Sequence, residues 1–185
     1  MPLIPFESTP TAIDGLLVVT PKQVSDPRGT VRELFRLTTF ASLEPTAISR
    51  CAQVNLTETK RGAIRGLHGE AMTKLVGVVA GEAFGAYVDA RPASATFRRV
   101  VTLELTVGLQ VLVPQGVLNG MQATGPEGCQ YLYCFDQEWR PDMPGIAAHP
   151  LDSDLAIAWP ITVDPTDRGL LSEKDAGNPP FSVLF

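Results

Sequence analysis

Histidine is scarce in this 185-residue chain: there are two, His68 and His149, too few for the several imidazoles and a carboxylate that a metal centre inside a β-barrel usually requires. No metal and no cofactor is therefore expected. Cysteine is nearly as rare, and Cys51, Cys129 and Cys134 are odd in number and unpatterned, which excludes a disulfide framework. Cys129 and Cys134 with the distant His149 lack the close ligand pairs of a structural zinc site, so reduced, half-buried thiols are expected. Long apolar runs are also missing: residues 16–19 and 75–80 fall far short of the ~20 needed to cross a bilayer. There is no basic excess either. Lys and Arg number 15 against 20 Asp and Glu, a formal charge of -5, which argues against general binding of nucleic acid or an anionic membrane while leaving room for a local basic site. Met1-Pro2-Leu3-Ile4-Pro5 carries no positive stretch ahead of an apolar one, so a cytoplasmic location is expected.

What is present is enough apolar material, 44%, for one core, and residues 1–185 read as a single domain. Short β-type runs recur at residues 16–20, 30–35, 50–56, 75–79, 83–89, 98–105, 110–113 and 130–135. Turn signals separate them, among them Asp26-Pro27-Arg28-Gly29, Ala80-Gly81-Glu82, Pro114-Gln115-Gly116 and Gly125-Pro126-Glu127-Gly128, and the 16 Gly and 16 Pro fit that punctuation. Helical periodicity is confined to residues 39–43 and 172–176, where Ser172 can open a short turn. The Pro-rich stretch 141–165 is expected to wrap the outside. The fold expected is an all-β cupin or jelly-roll sandwich with short peripheral helices, since two sheets closed on each other limit open edges and leave a cavity between them.

The search for a base that works near neutral pH is short. His149, between Ala148 and Pro150, has no constellation around it and is assigned no role. His68 ends the run Ile64-Arg65-Gly66-Leu67-His68, with Arg65 and Lys74 as cationic neighbours. Strand alternation sets Arg65 and His68 on opposite faces, so they share a site only if Gly66 carries a bend or bulge.

A series of motifs runs in order along most of the chain: Asp26-Pro27-Arg28-Gly29 with Glu33, Gln53-Val54-Asn55, Arg65-Gly66-Leu67-His68, Lys74-Leu75-Val76, Val88-Asp89-Ala90-Arg91, Val113-Pro114-Gln115-Gly116, Trp159-Pro160, and Leu171-Ser172-Glu173-Lys174-Asp175. In that order and spacing the chain resembles the dTDP-4-dehydrorhamnose 3,5-epimerase family. The resemblance implies a metal-independent isomerase of the cytoplasm that inverts a carbon beside the ketone of a nucleotide-linked 4-keto-6-deoxyhexose in deoxysugar biosynthesis. It implies His68 as the base, Asp175 as its dyad partner and Lys74 as the stabiliser of the enolate oxygen, the three roles such chemistry requires. Arg28 and Arg65 would meet the diphosphate, and Glu33, Gln53 and Asn55 the nucleotide or sugar. A homodimer is implied too, with residues 4–13 as a candidate swapped arm.

Three departures from the family pattern fall near that site. Asn119 stands where the family has a second histidine, and it can hydrogen-bond but not titrate. Trp139 stands where the family has the tyrosine that donates from the opposite face, and an indole N–H does not protonate an enolate; Tyr133 or a water is the substitute. The segment between His68 and Lys74 is shorter than usual. These departures favour inversion at C3 alone. Alternatives are a sugar-nucleotide or small-ligand binding cupin without catalysis, and an enzyme of the same fold acting on another keto substrate.

Overall fold

In the computed structural model, residues 2–185 are described. Thirteen strands and three single-turn helices follow in the order β1 (Leu3–Ile4), β2 (Glu7–Pro10), β3 (Leu17–Thr20), β4 (Gln23–Asp26), β5 (Gly29–Arg32), α1 (Leu37–Phe40), β6 (Gln53–Thr59), β7 (Ile64–Glu70), β8 (Lys74–Asp89), β9 (Val100–Thr106), β10 (Gln110–Val113), β11 (Val117–Ala123), β12 (Cys129–Phe135), β13 (Gly145–Ala147), α2 (Glu173–Ala176) and α3 (Phe181–Leu184). The strand rhythm, the turn at Pro114-Gln115-Gly116 and the short helix after Ser172 are found where the sequence puts them.

Two expectations are corrected. The runs 75–79 and 83–89 are not two strands joined by a turn but the one continuous strand β8. Gly81, with φ +75, bends this strand instead of ending it, a conformation open chiefly to glycine. The second correction is β11: its polar Asn119 and Gln122 break any apolar run, so the sequence pattern predicts no strand there. All of its residues are buried, since it is paired on both sides by β7 and β8.

The bend in β8 organises the fold. Its first half pairs with β10 and β12, extending outward to β3 and β2 on one side and to β6 on the other. Its second half pairs with β11 and β9, and β7 and β13 continue beyond β11. The two sheets face each other as a jelly roll, and both contribute to the main core, which includes Val76, Val111 and Tyr131 from one and Tyr87, Leu105 and Met121 from the other. Each such fully buried large side chain stabilises by about 1.5–3 kcal/mol. The wrap after β12 covers the outer face, where Ile157 and Trp159 pack against Leu67, Val88 and Leu118. A separate three-stranded sheet, β1-β4-β5, stands apart from the main one. Within the chain β1 pairs with β4 and β2 with β3.

Candidate active site

Arg65 and His68 come to one cleft because β7 is bulged. His68 lies opposite Asn119 and Arg65 opposite Met121, so three steps on β7 match two on β11. One extra residue turns every side chain beyond it to the other face. Gly66 carries the irregularity with φ +131, and a side chain there would run into the backbone of Asn119 and Gly120.

Asp175 reaches the same cleft from the far end of the chain. Leu171 bridges to Ile64 in parallel, seating the segment against β7. Ser172 caps the turn that follows by accepting the Asp175 N–H at 3.1 Å. The buried carboxylate of Asp175 takes His68 Nε2 at 2.7 Å on Oδ1 and the Gly66 N–H at 3.5 Å on Oδ2. Burial alone would push this carboxyl up. The hydrogen bond and charge of His68, with the Gly66 and Ser172 contacts, hold it below the ordinary carboxylate value. With Nε2 committed to Asp175, Nδ1 is the imidazole nitrogen left to take a proton.

Lys74, at the start of β8, is 3% exposed and makes an ion pair with Glu70. It also donates to Asn119 Oδ1 at 2.8 Å and to the His68 carbonyl at 3.4 Å. Burial drives the ammonium below the usual lysine value, partly offset by Glu70. Burial likewise pushes Glu70 up, but Lys74 outweighs it and Glu70 lies below its ordinary value.

Asn55, Arg65, His68, Lys74, Asn119, Tyr133, Trp139 and Asp175 all line this cleft, which has a volume of about 240 Å3. The Tyr133 phenol is pushed up to about 12 by burial, so it keeps its proton at neutral pH. Gln53 stands just behind, donating to Asn55 Oδ1 at 3.0 Å and accepting the Trp139 N–H at 2.8 Å. Arg65 donates to Thr59 Oγ1 at 2.9 Å and also lines a wider cleft of about 810 Å3 that shares Asp175. Arg28 and Glu33 are not brought there. Arg28 is 90% exposed on the β4–β5 turn and pairs with Asp26, and Glu33 pairs with Arg36. Among the described residues no three His, Cys, Asp or Glu side chains converge as metal ligands.

Three lining residues escape sequence reasoning: Thr57, Glu70 and Phe135. Each sits two positions beyond a predicted one on its strand, after Asn55, His68 and Tyr133, so the two-residue period could have found them.

Fold and site together define a cupin jelly roll whose cleft holds a hydrogen-bonded His68–Asp175 pair beside the buried Lys74. A family model described as dTDP-4-dehydrorhamnose 3,5-epimerase matches residues 10–182. The chain belongs to that family, which is one of isomerases. It is 33% identical over 175 residues to a dTDP-4-dehydrorhamnose 3,5-epimerase of Salmonella typhimurium, covering 91% of this chain and 92% of that one. A dTDP-4-dehydrorhamnose 3-epimerase of Streptomyces niveus is 32% identical over 174 residues, with 90% and 79% covered. Among solved structures, a dTDP-6-deoxy-D-glucose-3,5-epimerase from Legionella pneumophila in complex with dTDP-4-keto-L-rhamnose superposes with a TM-score of 0.86 at 30% identity, over 97% of this chain and 95% of that one.

Proposed function

We propose that the protein epimerises a dTDP-linked 4-keto-6-deoxyhexose at C3. The observation that carries this reading is the His68–Asp175 contact of 2.7 Å set within the cleft that also holds the buried Lys74 ammonium. The C3 proton, acidified by the neighbouring ketone, passes to His68 Nδ1, and the Asp175 carboxylate offsets the positive charge that then forms on the imidazole. The C4 oxygen becomes an enolate and is received by Lys74 in a site largely withdrawn from water, where a charged donor is worth most. Reprotonation from the other face returns the ketone with C3 inverted, with Tyr133 or a water as donor. Trp139 in place of a phenol supports one centre of inversion, and relatives named for 3,5- and for 3-epimerisation both match the chain.

The cleft is below the roughly 300–1,000 Å3 of pockets that engulf a drug-sized ligand, so it takes the sugar ring while the nucleotide lies outside. Arg65 meets the diphosphate as it leaves the cleft. Gln53, Asn55 and Trp139 line the path toward the nucleoside. Arg28 and Glu33 serve the site of a second copy in a homodimer. Exposed apolar side chains support that arrangement on both surfaces: Leu3 (58%) and Val31 (75%) on the small sheet that carries Arg28, and Val54 (56%) and Leu56 (53%) on the edge strand β6 beside Asn55.

The test is incubation with dTDP-4-keto-6-deoxyglucose in deuterated water, followed by NMR of the sugar. Deuterium at C3 alone is expected; deuterium at both C3 and C5 would replace the one-centre reading, and no incorporation with His68 intact would remove the epimerase reading.

A further inference from the structure

A lysine ammonium has three N–H donors, and all three of Lys74 have acceptors in the structure: the Glu70 carboxylate, Asn119 Oδ1 and the His68 carbonyl. An enolate oxygen can therefore reach Lys74 only by displacing one of them. The His68 carbonyl is part of the β7 backbone, and Asn119 is buried in β11 between β7 and β8. The Glu70 side chain, 24% exposed at the cleft, is the one free to swing. Its carboxylate occupies the place on the lysine that the reacting oxygen needs.

We propose that Glu70 is a positioning and selectivity residue that caps the enolate-binding donor of Lys74 and is displaced by the keto oxygen of the substrate. This rests on the reading of Lys74 given above. A small ketone without the nucleotide handle lacks the binding energy to open the ion pair, whereas a substrate anchored along Arg65 can open it. The cap thus selects for the whole nucleotide sugar. It also serves Lys74 itself, because a carboxylate beside a buried ammonium keeps it charged against desolvation. The groups that face or share the cleft with this ammonium are His68 and Glu70 of β7, Asn119 of β11, Tyr133 of β12, Arg65 of β7 and, through His68, Asp175 of α2. Glu70 is the one carboxylate among them in direct contact with the ammonium.

Two substitutions separate the two effects. Glu70→Gln keeps the size and an acceptor oxygen but removes the charge, while Glu70→Ala also frees the donor. Deuterium exchange into dTDP-4-keto-6-deoxyglucose is followed from pH 6 to 10, with the affinity for dTDP measured by calorimetry. The alkaline limb of kcat/KM is expected to move to lower pH by about one unit or more in both variants, since the unsupported lysine loses its proton earlier. Near pH 7, Glu70→Ala alone is expected to lower KM for the keto sugar several-fold, with dTDP affinity unchanged. Alkaline limbs that coincide with wild type, or KM and dTDP affinity changing in step, overturn the proposal. Failure of the epimerase reading looks different, because the wild type then exchanges no deuterium. In that event the ionisation of Lys74, followed by NMR of its ε-carbon, decides: an acidward shift in Glu70→Gln sustains the cap, and superimposable titrations overturn it.

Discussion

The wall of the cleft and its rim are built on different terms. Along the wall His68, Asp175, Lys74, Glu70 and Asn119 are each tied to another member by a hydrogen bond or ion pair, and Lys74, Asn119 and Asp175 are buried. Around the rim Asn55, Arg65 and Trp139 are exposed, and Arg28 and Glu33 stand on another part of the molecule. Groups that move protons must be held within a fraction of an ångström before the substrate arrives. Groups that recognise a nucleotide can be gathered by the nucleotide itself, or by a second subunit. On the proposed reading, chemistry is preorganised within one chain and recognition draws on a second copy.

That contrast is sharpened first at the wall. His68→Ala is expected to lower kcat by about 10²–10⁴-fold with little change in KM, the usual worth of a positioned general base; a matching rise in KM would place His68 in binding instead. Lys74→Met should cost about 10²–10³-fold in kcat, as loss of an oxyanion donor does. Outside both regions, the buried Asp89 is held well below the usual carboxylate range: burial opposes its ionisation, but Arg91, Ser94 and Thr96 more than compensate. A carboxylate depressed in the folded state stabilises fully above its unfolded pKa of about 3.9 and loses that contribution as pH falls through the folded value. Asp89→Asn should therefore cost about 3 kcal/mol in urea unfolding at pH 7, with the gap to wild type narrowing below about pH 4. Kinetics unchanged in the surviving folded fraction would keep this residue apart from the site.

Away from the cleft, on the small sheet, Arg28→Ala should raise KM by about tenfold and leave kcat nearly intact, the worth of one charge-assisted contact to phosphate. Mixing Arg28→Ala with His68→Ala chains then tests the assembly directly. If Arg28 serves the partner's site, hybrid dimers contain one site with both residues native, and activity at low substrate partly returns. Mixtures no better than the sum of their parts would confine Arg28 to its own chain or remove it from the site.

Most of the fold was legible because strands here announce themselves by short apolar runs between glycine and proline turns. Where the reading missed, tertiary pairing had overridden local pattern. Ala80-Gly81-Glu82 looks like a turn, yet the strands on both sides of it hold β8 continuous. Asn119 and Gln122 make β11 look unlike a core strand, but each has a buried partner, Lys74 for the one and the Gly62 and Ile161 carbonyls for the other. The dyad was legible only through the resemblance, since nothing local in Ser172-Glu173-Lys174-Asp175 points to His68 more than a hundred residues earlier. The bulge was foreseeable at Gly66, because alternation otherwise parts Arg65 from His68. Glu70 is not legible, because a charged residue on a strand reads as solvated until the register shows it beside a lysine.

The continuous strand β8 joins the two ends of the molecule in a further way. Lys74 begins it and Asp89, the anchor of Arg91, ends it, while four other strands clamp it between. Backbone amides so enclosed are expected to exchange with solvent only when the whole domain opens. Lys74 is thus fastened to a strand clamped along both edges, and it serves as the fixed datum of the cleft. Breathing of the cleft is then expected at nearby elements with a free edge, among them β6 and β13, each held by one neighbour, and at the small β1-β4-β5 sheet that carries Arg28.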